Sequence, residues 1–111
     1  MEVIEIKKGK ALILEMKGRF DSGSAPSVEA KINEALVSGA TNLILDFSNL
    51  EYISSAGIRV LVQSSKELEK RNGAILLASV PKQIENVLYI TGFLPYFKMF
   101  ENSEKALEHI P

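Results

Sequence analysis

The chain has 111 residues, of which 46% are hydrophobic and 24% charged, with a formal net charge of -1 and no cysteine. These values predict one globular domain over residues 1–111 and exclude disulfides, thiolate metal sites and cysteine nucleophiles. The sequence has no basic run, no apolar stretch of about 20 residues and no signal-peptide pattern at its start. We therefore expect no nucleic-acid binding, no membrane association and a cytoplasmic location.

Two short apolar segments around a glycine-containing turn open the chain and predict a β-hairpin. The segments are residues 3–7 and 11–16, and the turn is residues 8–10. Residues 18–24 are polar and predict a loop. A helix is expected over 25–37, because Pro26 suits a first helical turn and Ser24 is a plausible cap.

The rest of the chain alternates strands with helices. Residues 42–47 form the continuous apolar run that is typical of a strand buried on both faces, and Asp46 is interpreted as terminating it. A helix is expected from the 54–57 turn to about Lys70, and its inward positions are Ile58, Leu61, Val62, Ser65 and Leu68. The later elements are a strand over 74–78, a helix from 81 to 91, a strand over 97–100 and a helix capped at 102 or 103.

The resulting order, β-β-α-β-α-β-α-β-α, predicts an α/β domain. Its sheet should be mixed but mostly parallel, should open with the hairpin and should be covered by about four helices. Functional loops are expected at the carboxyl ends of the central strands.

Few residues could support enzyme chemistry. The single histidine, His109, lies near the end of the chain, and no glycine-rich phosphate loop is present. Asp21 and Asp46 have no partner carboxylate close in sequence, which gives little support to acid–base catalysis. We therefore predict a non-enzymatic protein with no catalytic residue, cofactor or metal site, and keep a nucleotide hydrolase as a third hypothesis.

The strongest local feature is the turn Ser54-Ser55-Ala56-Gly57, which lies between a strand and a helix. Its serines have two interpretations. They can cap the helix by accepting hydrogen bonds from its free N–H groups. Alternatively, one of them accepts a phosphoryl group, which the positive end of the helix dipole would stabilise. Arg59, one turn further on, has two interpretations as well: a partner-contact residue beside Ser55, or a solvated residue on the helix surface.

The segment from Leu43 to Leu61, which contains this turn, resembles the signature of the STAS domain family, which includes the bacterial anti-sigma factor antagonists. Gly18-Arg19-Phe20-Asp21 and the later Thr91-Gly92-Phe93 fit the same resemblance, which extends over the whole chain. The resemblance implies a STAS fold and a protein-interaction switch that regulates transcription indirectly.

By this resemblance, Ser55 is the phosphorylated residue. Ser54 is an alternative acceptor on the chemistry of its hydroxyl alone. The implied partner is an anti-sigma factor that is also a serine kinase, and a metal-dependent serine phosphatase resets the cycle. The predicted partner-binding residues are Asp21, Ser54, Ser55 and Gly57, together with the candidate Arg59. The free protein is expected to be a monomer.

The chain departs from the family pattern at two positions of the turn. Ser54 replaces the usual aspartate, and Ala56 replaces a second hydroxyl residue. The lost aspartate favours a second hypothesis, a phosphorylation-independent STAS subunit linked to a transporter or another signalling complex. In the first hypothesis, Ser54 retains the capping role and Ser55 accepts the phosphoryl group.

Overall fold

A computed structural model of the protein describes residues 1–9 and 11–110, so Lys10 of the predicted hairpin turn lies outside the described residues. The strands are β1 (Glu2–Lys8), β2 (Ala11–Phe20), β3 (Asn42–Ile53), β4 (Ala74–Ala78) and β5 (Lys98–Phe100). The helices are α1 (Ala25–Val37), α2 (Ser55–Glu69), α3 (Lys82–Ile90) and α4 (Ser103–His109), and a 3-10 turn over Leu94–Tyr96 precedes β5. The predicted order of elements is confirmed.

The five strands form one sheet in the order β1-β2-β3-β4-β5. The opening hairpin pairs β1 with β2 in antiparallel orientation, and all the other neighbours are parallel. The sheet is thus mixed and mostly parallel, as predicted. Each crossover between parallel strands contains a helix. Because β2, β3 and β4 are parallel, their carboxyl ends lie at the same edge of the sheet.

Hydrophobic side chains cover both faces of the sheet. The larger core contains Leu14, Leu43 and Leu45 and packs against α1, α2 and α3. The smaller core contains Ile13, Ile44 and Leu76 and packs against Ala106 of α4. Successive side chains of residues 43–45 point to opposite faces of the sheet and are all fully buried. Because both faces are covered, this run is apolar at every position.

Two predicted boundaries are wrong, because β2 and β3 are longer than the hydrophobic pattern indicated. Gly18 to Phe20 were expected in a loop, but they are the last residues of β2, and β3 continues beyond Phe47 to Ile53. The extensions pair with each other, Arg19 opposite Tyr52 and Phe20 opposite Ile53. Of the polar residues that predicted the loop, Arg19 lies exposed on β2, whereas residues 21–24 do form the turn before α1.

Two predicted side-chain roles also need correction. Asp46 does not end its strand: it lies within β3, where its carboxylate accepts a hydrogen bond from the Ser48 N–H at 2.9 Å. On α2, the buried serine is Ser64 rather than Ser65, which is half-buried. His109 is the exposed last residue of α4, with its ring packed against Phe100.

In the described ranges, no helix is long and apolar enough to cross a membrane.

Candidate functional site

The site lies where the paired ends of β2 and β3 extend past the rest of the sheet. β4 pairs with β3 only between Asn42 and Asp46, whereas β2 stays paired with β3 to Ile53. The two strands therefore form a short ribbon above the carboxyl edge of β4. The register shifts near Gly18 mark irregularities that accompany extra local twist in such a ribbon.

Phe20 connects the ribbon to the start of α2. Its carbonyl oxygen accepts a hydrogen bond from the Ser54 N–H at 2.9 Å. A Cβ added to Gly57 would lie 2.8 Å from the same oxygen and 3.0 Å from Phe20 Cγ and Ile53 Cγ1. Glycine is therefore required at this position by close packing, and the start of α2 is held directly against the end of β2.

Ser55 is the first residue of α2 and is exposed. The first helical hydrogen bond runs from the Ile58 N–H to the Ser54 carbonyl at 3.0 Å, so the N–H groups of residues 55–57 precede the helical ladder. The first turn of the helix carries no acidic residue. A hydroxyl exposed at the positive end of a 15-residue helix is a favourable place for a negatively charged group.

Ser54 occupies the N-cap position of α2 with the extended backbone typical of a cap, at φ -101° and ψ 175°. The prediction that its side chain caps the helix is wrong, however, because its hydroxyl makes no cap hydrogen bond. The Ser54 Oγ is buried and has no hydrogen-bond partner among the described residues. The orientation of the side chain follows from packing at the junction of ribbon and helix, which residue type alone does not reveal.

Asp21 follows Phe20 and closes a tight turn before α1. Its Oδ1 accepts hydrogen bonds from the N–H groups of Ser24 at 3.2 Å and Gly23 at 3.1 Å. These bonds, first that of Ser24, lower the pKa of the Asp21 carboxyl below its ordinary value of 3.8; partial burial opposes the shift, and the Arg19 guanidinium adds to it. Asp21 is therefore ionised at neutral pH.

Ser24 precedes α1 but does not cap it through its side chain, which corrects the second predicted cap. Its hydroxyl points back toward the ribbon, donating to the Arg19 carbonyl at 2.7 Å and accepting from the Asp21 N–H at 3.0 Å. Ser24 therefore stabilises the turn that carries Asp21 rather than the helix that follows. Sequence spacing could not separate these two roles, because both need a serine at the same position.

Two residues close to Asp21 and the end of the ribbon, Arg19 and Tyr52, were not predicted as site residues from the sequence. The Arg19 guanidinium lies 4.2 Å from the centroid of the Tyr52 ring, and its Nε is 3.6 Å from Asp21 Oδ2. Tyr52 is 39% exposed, which is high for so large a side chain. Their cross-strand pairing is the signal that could have identified them, but it depends on the strand extensions.

The structure brings most of the predicted site residues to one end of the sheet. Ser54 is the N-cap of α2 and Ser55 its first residue, Asp21 follows Phe20, which accepts the Ser54 N–H, and exposed Arg59 is one helical turn beyond Ser55. Gly57 is buried, so it shapes the turn and does not present a surface. We name the group formed by the exposed Arg19, Tyr52, Ser55 and Arg59 and the half-buried Asp21 the turn surface.

Comparison with known proteins places this geometry in a family. Residues 3–106 match the STAS domain family. BtrV of Bordetella bronchiseptica, a candidate anti-sigma factor antagonist, is 33% identical over 95 residues, which cover 86% of this chain and 82% of BtrV. The predicted resemblance is therefore confirmed over nearly the whole chain.

Solved structures share the fold. A candidate anti-sigma factor antagonist from Thermotoga maritima superposes with a TM-score of 0.91 at 22% identity, covering 97% of this chain and 93% of that one. The anti-sigma factor antagonist SpoIIAA in its unphosphorylated form gives 0.78 at 20% identity, covering 98% and 97%. SpoIIAA of Bacillus in its phosphorylated form gives 0.76 at 21% identity, covering 99% and 100%.

The family match agrees with the prediction of a protein-interaction domain rather than an enzyme. It covers the hairpin, the ribbon, the turn between β3 and α2, and most of α4. The chain belongs to the STAS domain family.

Proposed function

We propose that the protein is an anti-sigma factor antagonist whose turn surface binds an anti-sigma factor, and that phosphorylation of Ser55 ends this binding. The observation that carries the proposal is the exposed Ser55 hydroxyl at the N-terminus of α2, in a chain 33% identical to a candidate antagonist. The unphosphorylated protein would sequester the anti-sigma factor, free the sigma factor and so regulate transcription.

Electrostatics supports Ser55 as the switch. A phosphate adds about -1.5 to -2 charges at neutral pH and would lie at the positive end of the α2 dipole. The fold can therefore accept the group without losing the helix. The same charge would lie on a surface that already contains ionised Asp21, so it would change what this surface can bind.

The burial of Ser54 separates the two candidate acceptors. The Ser54 Oγ is buried, whereas Ser55 is exposed, so a kinase could reach only Ser55 without opening the junction with Phe20. We propose that the kinase is the anti-sigma factor itself and that a metal-dependent serine phosphatase reverses the reaction. Both would act in the cytoplasm.

The proposal is tested by measuring the affinity of the cognate anti-sigma factor for three forms of the chain: wild type, Ser55→Ala and Ser55→Asp. Ser55→Ala should bind as tightly as wild type, because the helix start is unchanged. Ser55→Asp should bind at least about tenfold more weakly, since it places a negative charge at the switch. Equal affinity of all three forms would refute a charge-controlled switch at Ser55.

A phosphorylation-independent interaction subunit, linked to a transporter or another signalling complex, is the second candidate. It is favoured by the serine at position 54, where the family pattern has an aspartate, because the carboxylate expected beside the acceptor is then missing. Isolation of the native complex distinguishes the two candidates. A transporter component that binds wild type and Ser55→Asp equally would support the second candidate and contradict the first.

A further inference from the structure

The outer edge of β1 is the longer of the two open edges of the sheet in the described residues. β1 is seven residues long and pairs only with β2, whereas β5 at the other edge has three residues. An unpaired strand edge presents a row of N–H and C=O groups that a second strand can pair with.

The hairpin register determines which groups of β1 point outward. Lys8 pairs with Ala11 across a two-residue loop, and the closing pair of such a hairpin is hydrogen bonded. Alternation along the ladder then directs the N–H and C=O groups of Val3, Glu5 and Lys7 away from β2. These three residues provide the hydrogen-bonding positions of the free edge.

The sequence of β1 is complementary to itself in antiparallel orientation. With Glu5 on a two-fold axis, Glu2 of one copy lies opposite Lys8 of the other, and Ile4 lies opposite Ile6. Val3, Glu5 and Lys7 then occupy the hydrogen-bonded pairs, as the outward groups require. Ile4 and Ile6 occupy the non-hydrogen-bonded pairs, where facing side chains approach most closely.

From this complementarity we propose that the protein associates with a second copy of itself through β1, forming a continuous ten-stranded sheet. Ile4 is 50% exposed, and Ile6 packs against the smaller core beneath α4. Pairing would cover Ile4 with Ile6 of the second copy. The smaller apolar face would thus continue across the interface, which would account for an isoleucine at an exposed edge position.

The pair formed by the two Glu5 residues is the unfavourable feature of this register. Facing like charges destabilise a strand pair. Lys31 of α1 lies on the same side, with its Nζ 3.7 Å from Glu5 Oε1, and so offsets the repulsion in each copy. The interface is small, so the association should be weak and should depend on concentration.

The inferred dimer differs from the monomer implied by the family resemblance, and it does not depend on phosphorylation. Antiparallel pairing reverses the direction of the second sheet, so the two turn surfaces would lie at opposite ends of the dimer. Each would remain free to bind a partner, making the dimer bivalent.

Sedimentation equilibrium over a range of protein concentrations tests the self-association. Wild type should show a monomer–dimer equilibrium. Glu2→Lys should weaken it about tenfold, because it places a new lysine opposite Lys8 in both symmetric pairs, and the double variant Glu2→Lys/Lys8→Glu should restore it. Glu69→Lys, on the exposed end of α2, is the control and should leave it unchanged. A wild-type chain that stays monomeric throughout would overturn the proposal.

Disulfide formation tests the register independently, and the absence of native cysteine makes single-cysteine variants unambiguous. Two Glu5→Cys residues would face each other with Cα atoms about 5.5 Å apart, within disulfide range. Two Lys7→Cys residues would be offset by four positions, about 14 Å, and could not be bridged. Glu5→Cys should therefore form dimers much faster under mild oxidation. Equal rates for the two variants would overturn this pairing.

Discussion

Gly57 on α2 lies so close to Phe20 on β2 that no side chain fits between them. A Cβ added to Gly57 would be 2.8 Å from the Phe20 carbonyl oxygen, which also accepts a hydrogen bond from the Ser54 N–H. One carbonyl group thus fixes both the strand-to-helix turn and the first turn of α2. The exposed position of Ser55 and the position of Asp21, next to Phe20, both depend on this contact.

Gly57→Ala should destabilise the fold by about 1–2 kcal/mol, because the new methyl group must displace backbone. Helix propensity alone predicts the opposite sign, a gain of about 1 kcal/mol. Urea unfolding measures the difference. Gly23→Ala is the control, since its Cβ would meet Asp21 Oδ1 at an ordinary 3.4 Å, and it should change stability by less than about 0.5 kcal/mol. A stabilised Gly57→Ala would contradict the packing described.

Ser54→Ala should leave the stability unchanged or raise it by up to about 1 kcal/mol, because the hydroxyl that it removes is buried without a partner among the described residues. Asn102→Ala is the contrasting variant. Its side chain does cap a helix, accepting from the Lys105 N–H at 2.9 Å, and its removal should cost about 1 kcal/mol. Denaturant titration of both variants decides the point. A Ser54→Ala loss equal to that of Asn102→Ala would show a working cap at Ser54.

The Asp21 carboxyl should titrate below its ordinary pKa of 3.8 in the folded protein. Because the folded pKa is lower than the unfolded one, Asp21 stabilises the fold above the unfolded pKa, and this contribution is lost as pH falls through the folded pKa. An NMR titration of the side-chain carbon measures the value, and the Gly23 and Ser24 amides should shift with it. A pKa at or above 3.8 would contradict the hydrogen bonds assigned to this turn.

Asp21→Asn should weaken binding of the anti-sigma factor about tenfold, because it removes a charge from the turn surface. The amide oxygen can still accept from Gly23 and Ser24, so the turn should survive. Asp46→Asn is the matched control: it also removes one carboxylate, but from the middle of β3. Calorimetric titration of the three proteins provides the affinities. Equal losses for both variants would assign the effect to net charge rather than to the turn surface.

Hydrophobic patterning predicted the elements whose residues pack in the core. The run over 42–47 and the helical spacing over 25–37 reflect burial directly, so the helix over 25–37 and the buried first half of β3 were predicted correctly. The extensions of β2 and β3 were missed because Arg19 and Tyr52 stabilise each other across the strands while remaining exposed. Such pairing joins residues that are far apart in sequence and leaves no apolar period to detect.

The candidate site likewise combines features that the sequence predicted with features that it did not. Residue types at the turn indicated where α2 begins and which serine follows the cap position. They did not indicate that the Ser54 hydroxyl is buried or that Ser24 hydrogen bonds backward to Arg19. Side-chain orientation at these positions is set by contacts with Phe20 and the ribbon, which only the folded chain brings together.

The central claim, that Ser55 is the phosphorylated switch, is tested most directly by intact mass spectrometry. Wild type, Ser54→Ala and Ser55→Ala would each be incubated with the cognate anti-sigma factor and ATP. We predict a gain of one phosphoryl group for wild type and for Ser54→Ala, and none for Ser55→Ala. An unchanged mass of wild type with an active kinase, or a phosphoryl gain that survives in Ser55→Ala, would contradict the claim.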